Sequence, residues 1–208
     1  MKWLKMVPQT YTFPENFLCS EKTYTDQMNL THVTPADYVE VAELANLAYR
    51  GATRDPGWNT EASLIEGPRL TKQQLSEDLV NKPDAHLLLY RDTPEGRLLG
   101  TVWLEPTDGD TWYLGLLIIH PEIQNRSLGR TLLAAAEDFA LHRGARSVRM
   151  TVINVRSILI AWYERRGYTR TGEIQPFPHG DDRFGTPLRD DLVFVVLAKD
   201  LVRTSTTA

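Results

Sequence analysis

The stretch Leu114–Arg130, LGLLIIHPEIQNRSLGR, restricts what this chain can become more than any other segment. A continuous apolar run ends at Ile119, His120-Pro121 comes next, and a short polar loop opens an amphipathic helix with Leu128, Leu132, Leu133, Ala136, Phe139 and Ala140 on one face. A buried strand therefore feeds a helix N-terminus. The first amides of a helix lack intrahelical acceptors and point outward with the positive end of the macrodipole, so such a junction suits a phosphate. Two common cradles fail on the letters. A Walker A loop needs Lys followed by Ser or Thr after its second glycine, and a dinucleotide fingerprint needs G-x-G-x-x-G; neither is present.

The loop after Pro121 resembles the acyl-CoA loop of the GCN5-related N-acetyltransferases, in which a strand ending at proline precedes Gln/Arg-x-x-Gly-x-Gly/Ala and a helix. Here the loop reads Gln124-Asn125-Arg126-Ser127-Leu128-Gly129, with Ser127 in place of the first glycine. Glycine permits a positive φ and close approach of a pyrophosphate, whereas serine suits an N-cap or a hydroxyl that donates to a phosphate oxygen. A second motif, Val155-Arg156 through Trp162-Tyr163-Glu164-Arg165-Arg166-Gly167-Tyr168, is similar to the family's N-x-x-A-x-x-x-Y-E-x-x-G-F/Y. Arg156 stands where the family often has Asn, and Asn154 lies two residues earlier as a substitute. The resemblance covers roughly Asn29–Leu201.

The remaining patterns agree with that order. Residues 1–27 hold Trp3, Tyr11, Phe13, Phe17 and Tyr24 without a clear period. They read as an N-terminal arm packing on its own domain or on a partner chain, which leaves a homodimer open; residues 28–208 form the catalytic domain. Met28–Val33 reads as a strand. Thr34-Pro35-Ala36-Asp37 starts a helix running to Gly51, with Thr34 as N-cap and Asp37 as the capping-box acid. Tyr49–Arg69 is punctuated by Gly and Pro and reads as a long irregular binding segment. Thr71-Lys72-Gln73-Gln74 is a second capping box, opening a helix to about Val80. His86–Arg91, Arg97–Glu105 and Thr111–Ile119 alternate as strands of an antiparallel meander. A helix from Ser127 or Leu128 to Gly144 carries the chain to Arg146–Val152, a strand parallel to its predecessor. Residues 156–166 form a short helix, Tyr168–Glu173 a strand, Gln175–Asp191 an exposed connection and Leu192–Leu197 the last strand. The expected class is α/β (α+β), a mixed, mostly antiparallel central sheet flanked by helices.

At 208 residues the chain is long enough to bury roughly 70% of its unfolded surface in one domain. A net charge of −4 argues against a nucleic-acid surface. The basic clusters Arg143/Arg146/Arg149 and Arg165/Arg166 read as solvated positions, while Arg126 and Arg130 are placed to neutralise a phosphate. Cys19 is the single cysteine, so neither an intrachain disulfide nor a cysteine metal cluster is available, and no metal is expected. No apolar run reaches the ~20 residues that span a bilayer, and the first residues lack the middle segment of a secretory signal. A cytoplasmic location with no membrane partner is the expectation.

The resemblance implies a reaction: a primary amine attacks the thioester of acetyl-CoA, the tetrahedral oxyanion needs donors, and the departing thiolate needs a proton. It implies that the backbone of Leu117, Ile118 and Ile119 receives the pantetheine arm like an added strand, that Gln124–Arg130 hold the phosphates, and that Asn154 or Arg156 contacts the pantetheine. Tyr163 stands where the family places the acid that protonates the thiolate. For the base, Glu105 at the end of the neighbouring strand comes first, with Glu61 and Glu66 behind it; His120, before a proline at a strand end, reads as structural. Tyr49, Arg50, Trp58, Thr60 and Glu61, with the loop Phe177–Arg189, are expected to face the acceptor. They suit a small polar amine such as an amino acid or another amino-containing metabolite. The alternatives are a protein N-terminal or lysine acetyltransferase, which needs an open groove, and a non-catalytic acyl-CoA-binding domain.

Overall fold

The computed structural model describes residues 28–51, 60–124 and 127–201. The N-terminal arm, Trp58, Asn125 and Arg126 lie outside the described residues. The elements are β1 (Leu30–His32), α1 (Tyr38–Arg50), β2 (Ile65–Glu66), α2 (Lys72–Asn81), β3 (His86–Arg91), β4 (Leu98–Pro106), β5 (Thr111–Ile119), α3 (Leu128–His142), β6 (Ser147–Ile153), α4 (Ser157–Glu164), β7 (Thr169–Pro176), β8 (Thr186–Pro187) and β9 (Val193–Asp200). Seven strands form one sheet in the order β1-β3-β4-β5-β6-β9-β7. Every pairing is antiparallel except β5 with β6, as the crossover through α3 requires.

Period-two alternation sends successive side chains to opposite faces, and the core is split accordingly. Leu88, Val102 and Leu104 pack with Leu132, Leu133, Ala136 and Phe139 of α3 and with Leu159 and Ile160 of α4. Leu87, Leu89, Trp103 and Ile118 pack on the other face with Val41, Leu44 and Ala45 of α1 and Leu75 of α2. Two helices thus cover each face of a mixed sheet, in keeping with the sequence pattern.

The ends depart from expectation for local reasons. α1 begins at Tyr38, three residues beyond Pro35, because Thr34 donates its amide and its hydroxyl to the Asp37 carboxylate (2.8 and 2.7 Å) and holds a turn there. At α2 the capping box of Thr71 and Gln74 forms in both directions. β7 runs on to Pro176. The two segments read as irregular, 60–69 and 177–189, contain β2 and β8, which pair as a separate two-stranded ribbon. Gly185 makes that pairing possible: its φ is +80°, and a Cβ there would lie 2.4 Å from the carbonyl oxygen of Glu66.

The feature that creates the site is in β5. Thr101 pairs with Ile118 but Trp103 with Gly115, so β5 carries one extra residue, a bulge at Leu116 with φ 45°. The Thr101 hydroxyl donates to the Leu116 carbonyl at 2.9 Å and holds the bulge. β5 and β6 then pair only over Thr111–Tyr113 and Ser147–Arg149. Beyond Tyr113 the two strands part inside the sheet.

Candidate active site

One side of the opening lies at the N-terminus of α3. After β5, Pro121–Ile123 forms a single 3-10 turn, and the Gln124 side chain donates back to the Ile119 carbonyl at 3.2 Å. The His120 ring accepts from the Glu122 amide, a structural turn contact. Ser127 has φ 61° and makes no side-chain cap bond. The serine has therefore kept the left-handed backbone of the glycine it replaces instead of becoming a conventional N-cap. That conformation costs a non-glycine residue about 1–2 kcal/mol, while glycine costs about 0.5–1 kcal/mol more chain entropy on folding. Ser127→Gly is accordingly expected to stabilise the fold by about 0.5 kcal/mol and raise Tm by about 1–2 °C. A lower Tm in calorimetry would mean that the hydroxyl contributes more than the strain costs.

Ile119, Gln124, Ser127, Gly129, Arg130, Trp162 and Arg166 line a cavity of about 350 Å³ at this helix end. Arg166, read from the sequence as a solvated position, is held against the protein instead. Its guanidinium lies 3.5 Å over the Trp162 ring, its Nη1 donates to the Trp162 carbonyl at 2.6 Å, and its Nε is buried without a partner among the described residues. Burial, then the Arg165 and Arg130 charges, lower its pKa, which marks a local concentration of positive charge. Helix amides, Arg130 and Arg166 together gather donors and positive charge at one helix end, the chemistry an anion requires.

The other side is a second cavity of about 350 Å³. Its walls include Leu116 and Leu117 of β5, Thr151 and Val152 of β6, Tyr163 of α4, and Ile65, Phe177 and Phe194 around the β2–β8 ribbon. Ile118 instead fills the α1/α2 core, so of Leu117, Ile118 and Ile119 the first and the last line a cavity. Tyr163 is 7% exposed and packed edge-on against Trp162 and Tyr168. Burial pushes its phenol well above the ordinary value, so it is held as the neutral acid.

Glu61, Arg50 and Arg156 converge on the same cavity although they are far apart in sequence. Glu61 accepts from Arg50 Nη1 at 2.9 Å and from Arg156 Nη1 at 3.1 Å, and the Glu61, Arg50 and Arg156 side chains are 10%, 10% and 7% exposed. Arg156, expected beside pantetheine, thus lines this cavity with its guanidinium bound to Glu61. Tyr49 lies beside them with Arg69 stacked over its ring at 5.3 Å. Asn154 is committed elsewhere: it donates to the Asp191 carbonyl at 3.0 Å and accepts from the Val193 amide at 3.2 Å. Thr60 accepts from the Ala62 amide in a local turn. Glu66 lies in the ribbon and is exposed. Glu105 does not line either cavity; its carboxylate accepts from Lys82 Nζ at 2.8 Å and from the Trp103 indole at 3.1 Å, joining α2 to β4. Among the described residues, no group of three or more His, Cys, Asp or Glu is placed to hold a metal ion, and no helix is long and apolar enough to cross a membrane.

The family model described as Acetyltransferase (GNAT) family matches residues 41–168, from α1 to the end of the second motif. The chain belongs to this family. GNAT acetyltransferases use acetyl-CoA as acyl donor and transfer its acetyl group to an acceptor. A mycothiol acetyltransferase from Beutenbergia cavernae is 35% identical over 83 residues, which is 40% of this chain; the chain spans only 28% of that curated relative's length. The fold matches the Escherichia coli ribosomal-protein-S18-alanine N-acetyltransferase with TM-score 0.59 and 15% identity over 87% of this chain and 98% of that one. It also matches a spermidine N-acetyltransferase chimera that includes Vibrio cholerae sequence, with TM-score 0.60 and 17% identity over 84% and 96% of the two chains. These structural likenesses show the GNAT fold and leave the acceptor to the chain's own residues.

Proposed function

We propose that this chain acetylates the primary amine of a small polar molecule by direct attack within a ternary complex. The observation that carries the reading is a cavity of about 350 Å³ at the parting of β5 and β6, with Tyr163 and Ile65 of the β2–β8 ribbon in its wall. A site walled in part by such a ribbon suits a compact acceptor better than an extended peptide.

In this reading the phosphates of acetyl-CoA lie against Ser127–Arg130 and Arg166. The pantetheine arm runs along the side of Leu117–Ile119 that faces away from β4, where β5 and β6 have parted. The amine nitrogen attacks the thioester carbon, the C–S bond breaks, and the Tyr163 hydroxyl gives its proton to the thiolate. The nitrogen loses its own proton to water. Glu105, held by Lys82 and Trp103, is assigned to anchoring α2, and Glu61 to positioning Arg50 and Arg156.

Thiol release from acetyl-CoA across free amines and unstructured peptides tests the proposal. Turnover with free amines and none with peptides is expected. Turnover with peptides alone would reassign the chain as a protein acetyltransferase, and no amine-dependent release with any acceptor would sink the reading altogether.

A further inference from the structure

We propose that the central cavity contains an anion subsite built on Arg50, and that the acceptor is a small amino acid whose carboxylate pairs with that guanidinium while its amine reaches the thioester. This rests on the small-amine reading above. Arg50 closes the last turn of α1, and its side chain is 10% exposed. Nε donates to the Gly67 carbonyl at 3.0 Å, and Nη1 is taken by Glu61 at 2.9 Å and the Tyr49 carbonyl at 3.4 Å. Nη2 is buried and has no partner among the described residues. A buried charged donor left unpaired is costly; Arg50 lines the cavity, so a ligand that displaces the side chains covering Nη2 can bring the missing acceptor.

The charge of the wall points the same way. Among the described residues that line it, three guanidiniums, from Arg50, Arg69 and Arg156, meet one carboxylate, from Glu61. An acceptor carrying only an ammonium group would enter against that excess, at the low effective dielectric of a partly closed site. An amino acid brings a carboxylate of its own, one oxygen of which can accept a charge-assisted hydrogen bond from Nη2. A polyamine brings no such group, and a peptide N-terminus has its nearest backbone carboxyl converted to an amide.

The test measures thiol release with acceptors that differ only in that carboxylate: each amino acid against its amide and its decarboxylated amine. The chain is compared with Arg50→Gln and Arg50→Lys. Amino acids are expected to exceed their amides in kcat/KM by ~100-fold or more, chiefly through KM, because an unfilled buried donor discriminates strongly. Arg50→Gln should narrow that ratio to below about 5-fold, and Arg50→Lys should keep part of it; acetyl-CoA titration confirms that each variant is folded. If Arg50→Gln does not fold, the ratio in the parent chain and in Arg50→Lys decides. Amides or simple amines reacting as well as amino acids would overturn the subsite and leave the small-amine reading intact, and an undiminished ratio in Arg50→Gln would remove Arg50 from it. Turnover confined to peptides would overturn the small-amine reading itself.

Discussion

Tyr163→Phe is expected to lower kcat by at least ~10²-fold while leaving acetyl-CoA affinity within about 3-fold. A positioned general acid is commonly worth about 10²–10⁴, and this phenol suits the role by chemistry as well as by place. Burial keeps it protonated at neutral pH, so a proton is in place to hydrogen-bond to the sulfur and to pass to it as the C–S bond breaks. Phe keeps the edge-on contacts with Trp162 and Tyr168, so the loss should be chemical and not structural. Steady-state thiol release paired with calorimetric titration of acetyl-CoA separates the two quantities. A kcat within about 3-fold of the parent would mean that solvent supplies the proton.

Glu61→Ala should destabilise the fold by about 3 kcal/mol, since it takes an ion-pair partner from two largely buried guanidiniums at once. Arg50 and Arg156, 10% and 7% exposed, both lose the carboxylate they share. In a domain of this size that loss appears as a Tm lower by about 6–12 °C. The double variant Glu61→Ala with Arg156→Met should recover part of it, because one of the two guanidiniums that lost the carboxylate is then gone; residues in one network are not additive. A single-variant loss below about 1 kcal/mol would show that water reaches the arginines freely and that the trio is not a buried network.

Much of the fold is legible from local pattern. Leu87, Leu88 and Leu89 are divided between two faces by the pleat alone, and the Thr71 box announces α2 in four letters. The candidate site is legible where its parts are contiguous: Gln124 and Ser127–Arg130 at the start of α3, and the helix carrying Tyr163. It is not legible where partners meet across long sequence separations. Glu61 joins Arg50 and Arg156 from different elements, and nothing in the spacing of charged residues distinguishes that trio from a solvated set. Arg166 looks like half of a surface pair until Trp162 is seen beneath it. Glu105 shows the converse: its strand position suggests access to the thioester, while Lys82, arriving from α2, occupies its carboxylate. β2 and β8 escape pattern reading because two residues are too few for a period, and their pairing depends on close backbone approach at Gly185.

That ribbon has an energetic consequence. Two residues on each side cannot sustain a sheet by themselves, so its order depends on the cluster of Ile65, Ile153, Phe177 and Leu192 beneath it. Ile65, Ile153 and Phe177 are also cavity walls. Occupancy of the cavity and local order of the ribbon are therefore thermodynamically linked: an acceptor that binds only the ordered form stabilises it by mass action. Reciprocally, a substitution that loosens the cluster is felt as weaker acceptor binding even when it touches no ligand atom.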